Sequence, residues 1–376
     1  MFHATSSLPH LLPPRAYTDP LGFDAECRGI LRSAWHLVAT REQLAQTGDF
    51  ITLRLLGEEI QIRNFGATLR AFSNVCAHRH CLLTSHARGN SPAMKCQYHG
   101  WEYGEDGCSR KIPQAKDVPP ATRKPWQLPT YRLAVCGSLV FLCLDPEAPE
   151  LVEFLGPIHG LIAERFGENW SCYYQRTYAY DANWKVPIEN SIEAYHVAAI
   201  HPETFRQAPG EERTEHHLND HHTAFLTDLP FAIHHSLDRS FHRVERWLVK
   251  RLGVHPQGRY QQHHLFPNLL FSFTDAISLV HVIEPIAVNR SRSVLRQYGP
   301  SPSQASIGRR CLARILGKIE GLLLERIFRE DLQLYPAIQS GLQASRQPGI
   351  LARSEERIHA FHRYLIQHQY QSYTPR

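Results

Sequence analysis

The chain has 376 residues, enough for two or three domains, and its 41 basic and 36 acidic side chains leave a net charge of +5. That charge is small and interspersed, with no basic block to suggest nucleic acid, and no apolar run approaches the roughly 18 residues a membrane helix needs. The nine cysteines, scattered from Cys27 to Cys311, do not resemble a secreted disulfide framework, and the opening MFHATSSLPHLLPPRAY has no charged n-region or apolar core, so a cytoplasmic protein is the expectation.

In chain order, a Pro-rich stretch and a helix around Asp24 to Trp35 come first. From Asp49 the hydrophobic period becomes two: ITLRLL, EIQIRN and TLRAFSNV are followed by AMKCQ, YRLAV and SLVFLCL, ending near Asp145. These short strands make a small all-β domain, and Pro146 and Pro149 mark its end. The segment ELVEFLGPIHGLIAERF is weakly helical, and CYYQRTYAY alternates as a strand. Residues 203–265 show no clear period and read as an irregular insertion whose histidines, among them His216, His222, His263 and His264, are mostly solvated. Strands return in LLFSF, ISLVHVIEP and RSVLRQY. A single long helix from about Ser303 to Gln343 is expected to pack its Ile307, Ile315, Ile319, Leu322, Leu323 and Ile327 stripe on that sheet, before a last amphipathic helix, SEERIHAFHRYLIQ.

Between Asn183 and His201, NWKVPIENSIEAYHVAAIH gathers two carboxylates and two imidazoles. Read as a helix, it stacks Glu189, Glu193 and His196 along one side, where they could converge on one site. His201 is about 140° from His196 on an ideal helix, so both reach one ion only if the helix loosens before Pro202. By itself this pattern suits a solvated polar face as well as a metal site, and zinc hydrolysis as well as iron chemistry.

Within the β domain, Cys76-x-His78 is followed by Cys96-x2-His99. Two loops that each offer one thiolate and one imidazole can hold a cluster asymmetrically, both sulfurs on one iron and both nitrogens on the other, which is the Rieske [2Fe-2S] arrangement. A structural Cys2His2 zinc site is the alternative, but zinc fingers normally pair Cys with Cys and His with His.

These loops resemble the Rieske domain of ring-hydroxylating, non-haem iron oxygenases. The resemblance extends over nearly the whole chain through Asn183-Trp184-Lys185, Glu189-Asn190, Glu193, Tyr195-His196 and His201. Respiratory Rieske proteins, the competing family, carry a further disulfide between the cluster loops. Cys81 occupies one such position, but the second loop offers no partner, which leaves Cys81 a buried free thiol; His80 departs from the glycine common in the oxygenases.

The resemblance implies an α+β chain. An N-terminal segment (1–34) packs on the catalytic domain, an all-β Rieske domain spans 35–145, and a catalytic domain (146–376) has an antiparallel sheet flanked by helices, of helix-grip type. The cluster falls to Cys76, His78, Cys96 and His99. A mononuclear Fe(II) falls to His196, His201 and Asp331, the last chosen from Glu330-Asp331 and the following Gln339-x-Gly341-Leu342, with Glu330 turned to solvent. Glu193 becomes the carboxylate that bridges a cluster histidine of one subunit and an iron histidine of the next in a homotrimer. Electrons come from an NAD(P)H-dependent reductase or a ferredoxin. The nearest branch resembles choline, glycine betaine and carnitine monooxygenases, which implies hydroxylation or oxidative demethylation of a small quaternary or tertiary amine. The alternatives are an aromatic ring-hydroxylating dioxygenase acting on an aromatic acid, or an electron-transfer protein without the mononuclear iron.

Overall fold

Two adjacent β-patterned stretches, ITLRLL and EIQIRN, set the geometry of the first sheet. In the computed structural model they are Asp49–Leu55 and Glu58–Asn64, joined by a two-residue turn in which Leu56 and Gly57 both have positive φ, as the twist of a tight hairpin requires. The structure describes residues 2–66, 68–118, 126–202, 204, 209–228, 236–301 and 306–369. The chain divides into two compact units, one of Arg32–Ala163 and one of Met1–Leu31 with Glu164–Arg376. The division falls within the short helix His159–Arg165, and the helix Leu151–Leu155 before it stays with the first unit.

The Arg32–Ala163 unit is built on a seven-stranded sheet in the order His36–Thr40, Leu139–Cys143, Thr130–Cys136, Leu69–Ser73, Glu58–Asn64, Asp49–Leu55, Arg88–Asn90. Alternate residues Ile60 and Ile62, with Ala39, Val140 and Leu142, are fully enclosed. Each large aliphatic side chain so enclosed contributes roughly 1.5–3 kcal/mol. A second, three-stranded sheet of Met94–Lys95, Glu102–Tyr103 and Ser109–Lys111 carries the loop that holds Cys96 and His99.

The other unit has a seven-stranded antiparallel sheet in the order Trp170–Tyr180, Arg290–Pro300, Ser278–Ala287, Leu269–Phe273, Arg259–Leu265, His222–Asp228, Thr214–Leu218. Much of the stretch expected to be irregular is therefore regular: it supplies three strands of this sheet and the helix Ser236–Arg251. Four of its histidines are correspondingly buried, since His216, His222, His263 and His264 each expose less than a tenth of their surface, whereas His217, His221 and His255 are exposed as expected. His234, His235 and the side chain of His242 lie outside the described residues and side chains.

The long C-terminal helix is two helices, Ile307–Leu332 and Tyr335–Ala344, broken where Pro336 enters the first turn of the second. Its Ile/Leu stripe does not pack on the sheet: Ile307, Ile315, Ile319, Leu322 and Leu323 are exposed, and Ala313, Leu316 and Phe328 are buried instead. The N-terminal segment joins this unit through a buried ion pair. Glu26, on the helix Pro20–Arg28 capped by Asp19, accepts from Lys185 Nζ at 2.7 Å and from Trp184 Nε1 at 2.7 Å, with both ends of the ion pair fully enclosed. Pairing of this kind is what lets charges stay buried.

Candidate metal centres

The first candidate centre is made by two similar loops. Cys76 and Cys96 are buried, and each begins a turn closed by a backbone bond to its own carbonyl, from His80 N at 3.1 Å and from Gly100 N at 3.0 Å. His80 and Gly100 both adopt positive φ, 59° and 73°. The departure at His80 therefore leaves the turn in the left-handed form, with a side chain where glycine would have adopted it without steric cost. The His78 and His99 rings lie 4.7 Å apart, and His78 stacks on Trp101 at 5.0 Å. Tyr103 Oη is 3.0 Å from Cys76 Sγ and accepts from Ala77 N at 3.1 Å, so its own proton is available to the sulfur. Burial pushes the Cys76 thiol up, and the Tyr103 contact opposes that shift by favouring the thiolate.

A thiol pair and an imidazole pair fit two irons. Cys81 is half-buried rather than enclosed, and its carbonyl accepts from Cys76 N.

At the second centre, the stretch from Asn183 breaks as the two histidines require. One helix, Lys185–Ser191, ends at Ile192, and a second, Val197–Ile200, starts after His196. The break turns His201 inward and carries Glu189 away from Glu193 and His196. These three carboxylate and imidazole groups therefore do not converge, because the continuous helix that would have stacked them is absent.

His196, His201 and Asp331 do converge, with one ligand atom each inside 4.8 Å. Asp331 Oδ1 lies 3.1 Å from His201 Nε2 and 3.6 Å from His196 Nε2, and it is buried without a hydrogen-bond partner among the described residues. A buried carboxylate oxygen facing two imidazole nitrogens fits a divalent iron and leaves coordination positions open, the facial-triad donor set.

The outer nitrogens are held as well. His196 Nδ1 donates to Glu193 Oε1, and Glu193 Oε2 accepts from the Tyr195 and His196 backbone amides. His201 Nδ1 donates to Glu330 Oε2 at 2.6 Å. Glu330 is thus not turned to solvent but holds His201, a contact that its adjacency to Asp331 in the sequence could have signalled. Burial works to lower the His201 imidazolium, but the Asp331 and Glu330 carboxylates outweigh it and the net shift is upward. Asn183 anchors the start of the stretch: Gln339 Oε1 accepts from Asn183 N at 2.8 Å, and Asn183 Nδ2 donates to the Val288 carbonyl at 2.7 Å.

Residues 34–132 match the Rieske [2Fe-2S] domain family, and residues 167–370 match the ring hydroxylating alpha subunit (catalytic domain) family. The chain belongs to the ring-hydroxylating alpha-subunit family. It is a Rieske-type non-haem iron oxygenase, with a [2Fe-2S] cluster, a mononuclear iron and electrons received from a reductase.

This oxygenase is 29% identical over 254 residues to the carnitine monooxygenase oxygenase subunit of Escherichia coli (strain K12), an alignment covering 65% of this chain and 67% of the relative. It is 30% identical over 200 residues to the toluate 1,2-dioxygenase alpha subunit of Pseudomonas putida, covering 49% and 43%. The solved structure of the quaternary ammonium Rieske monooxygenase CntA with L-carnitine shares the fold, with a TM-score of 0.73 at 21% identity over 97% of this chain and 96% of that one. Among the described residues, no helix is long and apolar enough to cross a membrane.

Proposed function

We propose that this oxygenase hydroxylates or oxidatively demethylates a small quaternary or tertiary amine. The observation that carries this reading is the set of aromatic rings beside Asp331, drawn from its own helix, the next helix and the sheet. Phe328, one turn before Asp331, has its ring 5.1 Å from Tyr178 and 5.3 Å from His281, and Tyr335, the first residue of the following helix, lies 5.0 Å from Tyr180. Aromatic faces attract alkylammonium groups. The activities named for the carnitine relative and for CntA support the same substrate class.

In this reading Cys76, His78, Cys96 and His99 hold the cluster, and His196, His201 and Asp331 hold ferrous iron. When bound, these groups supply single-electron transfer and O2 activation. The chain's own carboxylates orient the imidazoles: Glu193 and Glu330 each accept an Nδ1–H, so both Nε2 lone pairs face Asp331. Glu193 serves in addition as the bridge to a cluster histidine of a neighbouring subunit, in a cytoplasmic homotrimer. The exposed stripe of Ile315, Ile319 and Leu322 supports self-association.

The test is coupled turnover of the full chain with a reductase, NADH and O2. Carnitine, glycine betaine and choline are expected to drive NADH consumption matched by oxidised product. Tight coupling to aromatic acids alone would overturn the amine reading. Glu193→Gln should retain cluster absorbance and iron while turnover falls by about 10- to 100-fold, and full activity would remove the bridge.

A further inference from the structure

Glu189 did not join the iron site, and what it joined is a second group of metal-ligating side chains. We propose that His10, Glu189 and His362 form a divalent-metal site of their own, for a zinc-class ion, that fastens the N-terminal segment to the catalytic core. One ligand atom from each lies within 4.8 Å of the others. The three come from distant parts of the chain: the N-terminal segment, the helix Lys185–Ser191 and the last helix, Glu356–Gln369.

The tautomer of His10 follows from its partner. Nδ1 lies 2.8 Å from the Leu12 carbonyl, which can only accept, so Nδ1 carries the proton and the Nε2 lone pair faces the cluster. A metal-binding histidine is commonly held through its other nitrogen in this way. The hydroxyl nearest that lone pair, Tyr17 Oη, is 3.5 Å away and directs its proton to Glu189 Oε1 at 2.5 Å. His362 Nε2 is 2.9 Å from the same carboxylate oxygen and 3.3 Å from Tyr17 Oη, and its ring packs edge-on at 4.5 Å from His10. Two imidazoles and a carboxylate, with a phenol hydroxyl beside them, are a zinc donor set with a fourth position available to Tyr17 or water.

An ion bound at His362 Nε2 displaces the proton to Nδ1, which is buried without a partner among the described residues. That displacement costs about 1–3 kcal/mol and so weakens binding by roughly 10- to 100-fold relative to a site whose outer N–H is satisfied.

The experiment uses the full-length, iron-loaded oxygenase, equilibrated with zinc sulfate and desalted, with zinc and iron measured per chain and thermal stability measured with and without zinc. About one zinc is expected beyond unchanged iron, with a zinc-dependent rise in Tm. Both should be lost in His10→Gln, a substitution at a half-buried residue, and in His362→Gln if that variant folds. Zinc retained equally by His10→Gln, zinc taken up only as iron leaves, or no zinc retained at all would each overturn the site and leave a hydrogen-bonded cluster alone.

Discussion

Glu330 shows how one side chain completes a metal site from behind. It is about 100° from Asp331 around the helix, yet both reach the same imidazole, because His201 presents Nε2 to Asp331 at 3.1 Å and Nδ1 to Glu330 at 2.6 Å. Thr204 Oγ1 and Arg326 Nε also lie 3.4 Å from the Glu330 carboxylate and restrict its movement. The charge on Glu330 makes His201 a stronger ligand and fixes which nitrogen faces inward. Replacement by alanine frees the ring to rotate and leaves Nδ1–H without its acceptor. Glu330→Ala should therefore lower iron affinity by roughly 10- to 100-fold while the cluster absorbance stays intact, read by competition with a chelator. Unchanged affinity would assign Glu330 to the surface network with Arg326 instead.

At the level of elements, Asp331 is where it is because the helix Ile307–Leu332 lies close against the strand Trp170–Tyr180. Two glycines permit the approach. A Cβ at Gly317 would stand 2.4 Å from the Tyr173 ring, and one at Gly321 would stand 2.8 Å from that of Tyr174. Gly321→Val must push the helix off the strand or turn the tyrosine, so a loss of about 1–3 kcal/mol is expected in denaturant unfolding. The same shift passes along about 15 Å of rigid helix to Asp331, so iron occupancy should fall with stability.

This helix also shows what periodicity alone conceals. Its Ile/Leu stripe and its Ala/Gly face follow the same period, and the sequence favours the more hydrophobic one, whereas the strand needed the smaller one. The site was more legible than the packing. Cys76, His78, Cys96 and His99 sit in two short loops of fixed spacing, whereas His196, His201 and Asp331 were selected through the family resemblance, and the strands of the first sheet follow clean alternation. The partners of the buried histidines could not be read, since His216 meets Glu356 across 140 positions and His222 meets His263 across 41.

At the scale of the whole molecule, these buried histidines, all in the unit containing Glu164–Arg376, are expected to set its response to acid. Burial pushes His222 down to about 4 and His263, His264 and His281 to about 3. Each is held neutral by the fold: His222 and His263 stack at 5.2 Å with 3.0 Å between Nε2 and Nδ1, His264 Nε2 donates to the Pro267 carbonyl at 3.0 Å, and His281 Nε2 lies 2.7 Å from Ser293 Oγ. In the unfolded chain they protonate near the ordinary imidazole value of about 6.5. Between that value and their folded ones the unfolded chain binds more protons, so stability is present above about pH 6.5 and falls as pH falls. Each contributes up to about 1.4 kcal/mol per pH unit, less for the stacked pair, whose protonations are not independent. His201 acts in the opposite direction, since its raised value gives stability at low pH that is lost as pH rises, but it is one group against four. The urea midpoint should therefore drop steeply between pH 6.5 and 4.5. His264→Gln, whose amide can still donate to Pro267, should flatten the pH dependence by close to one proton, and an unchanged slope would show that acid sensitivity arises from the carboxylates instead.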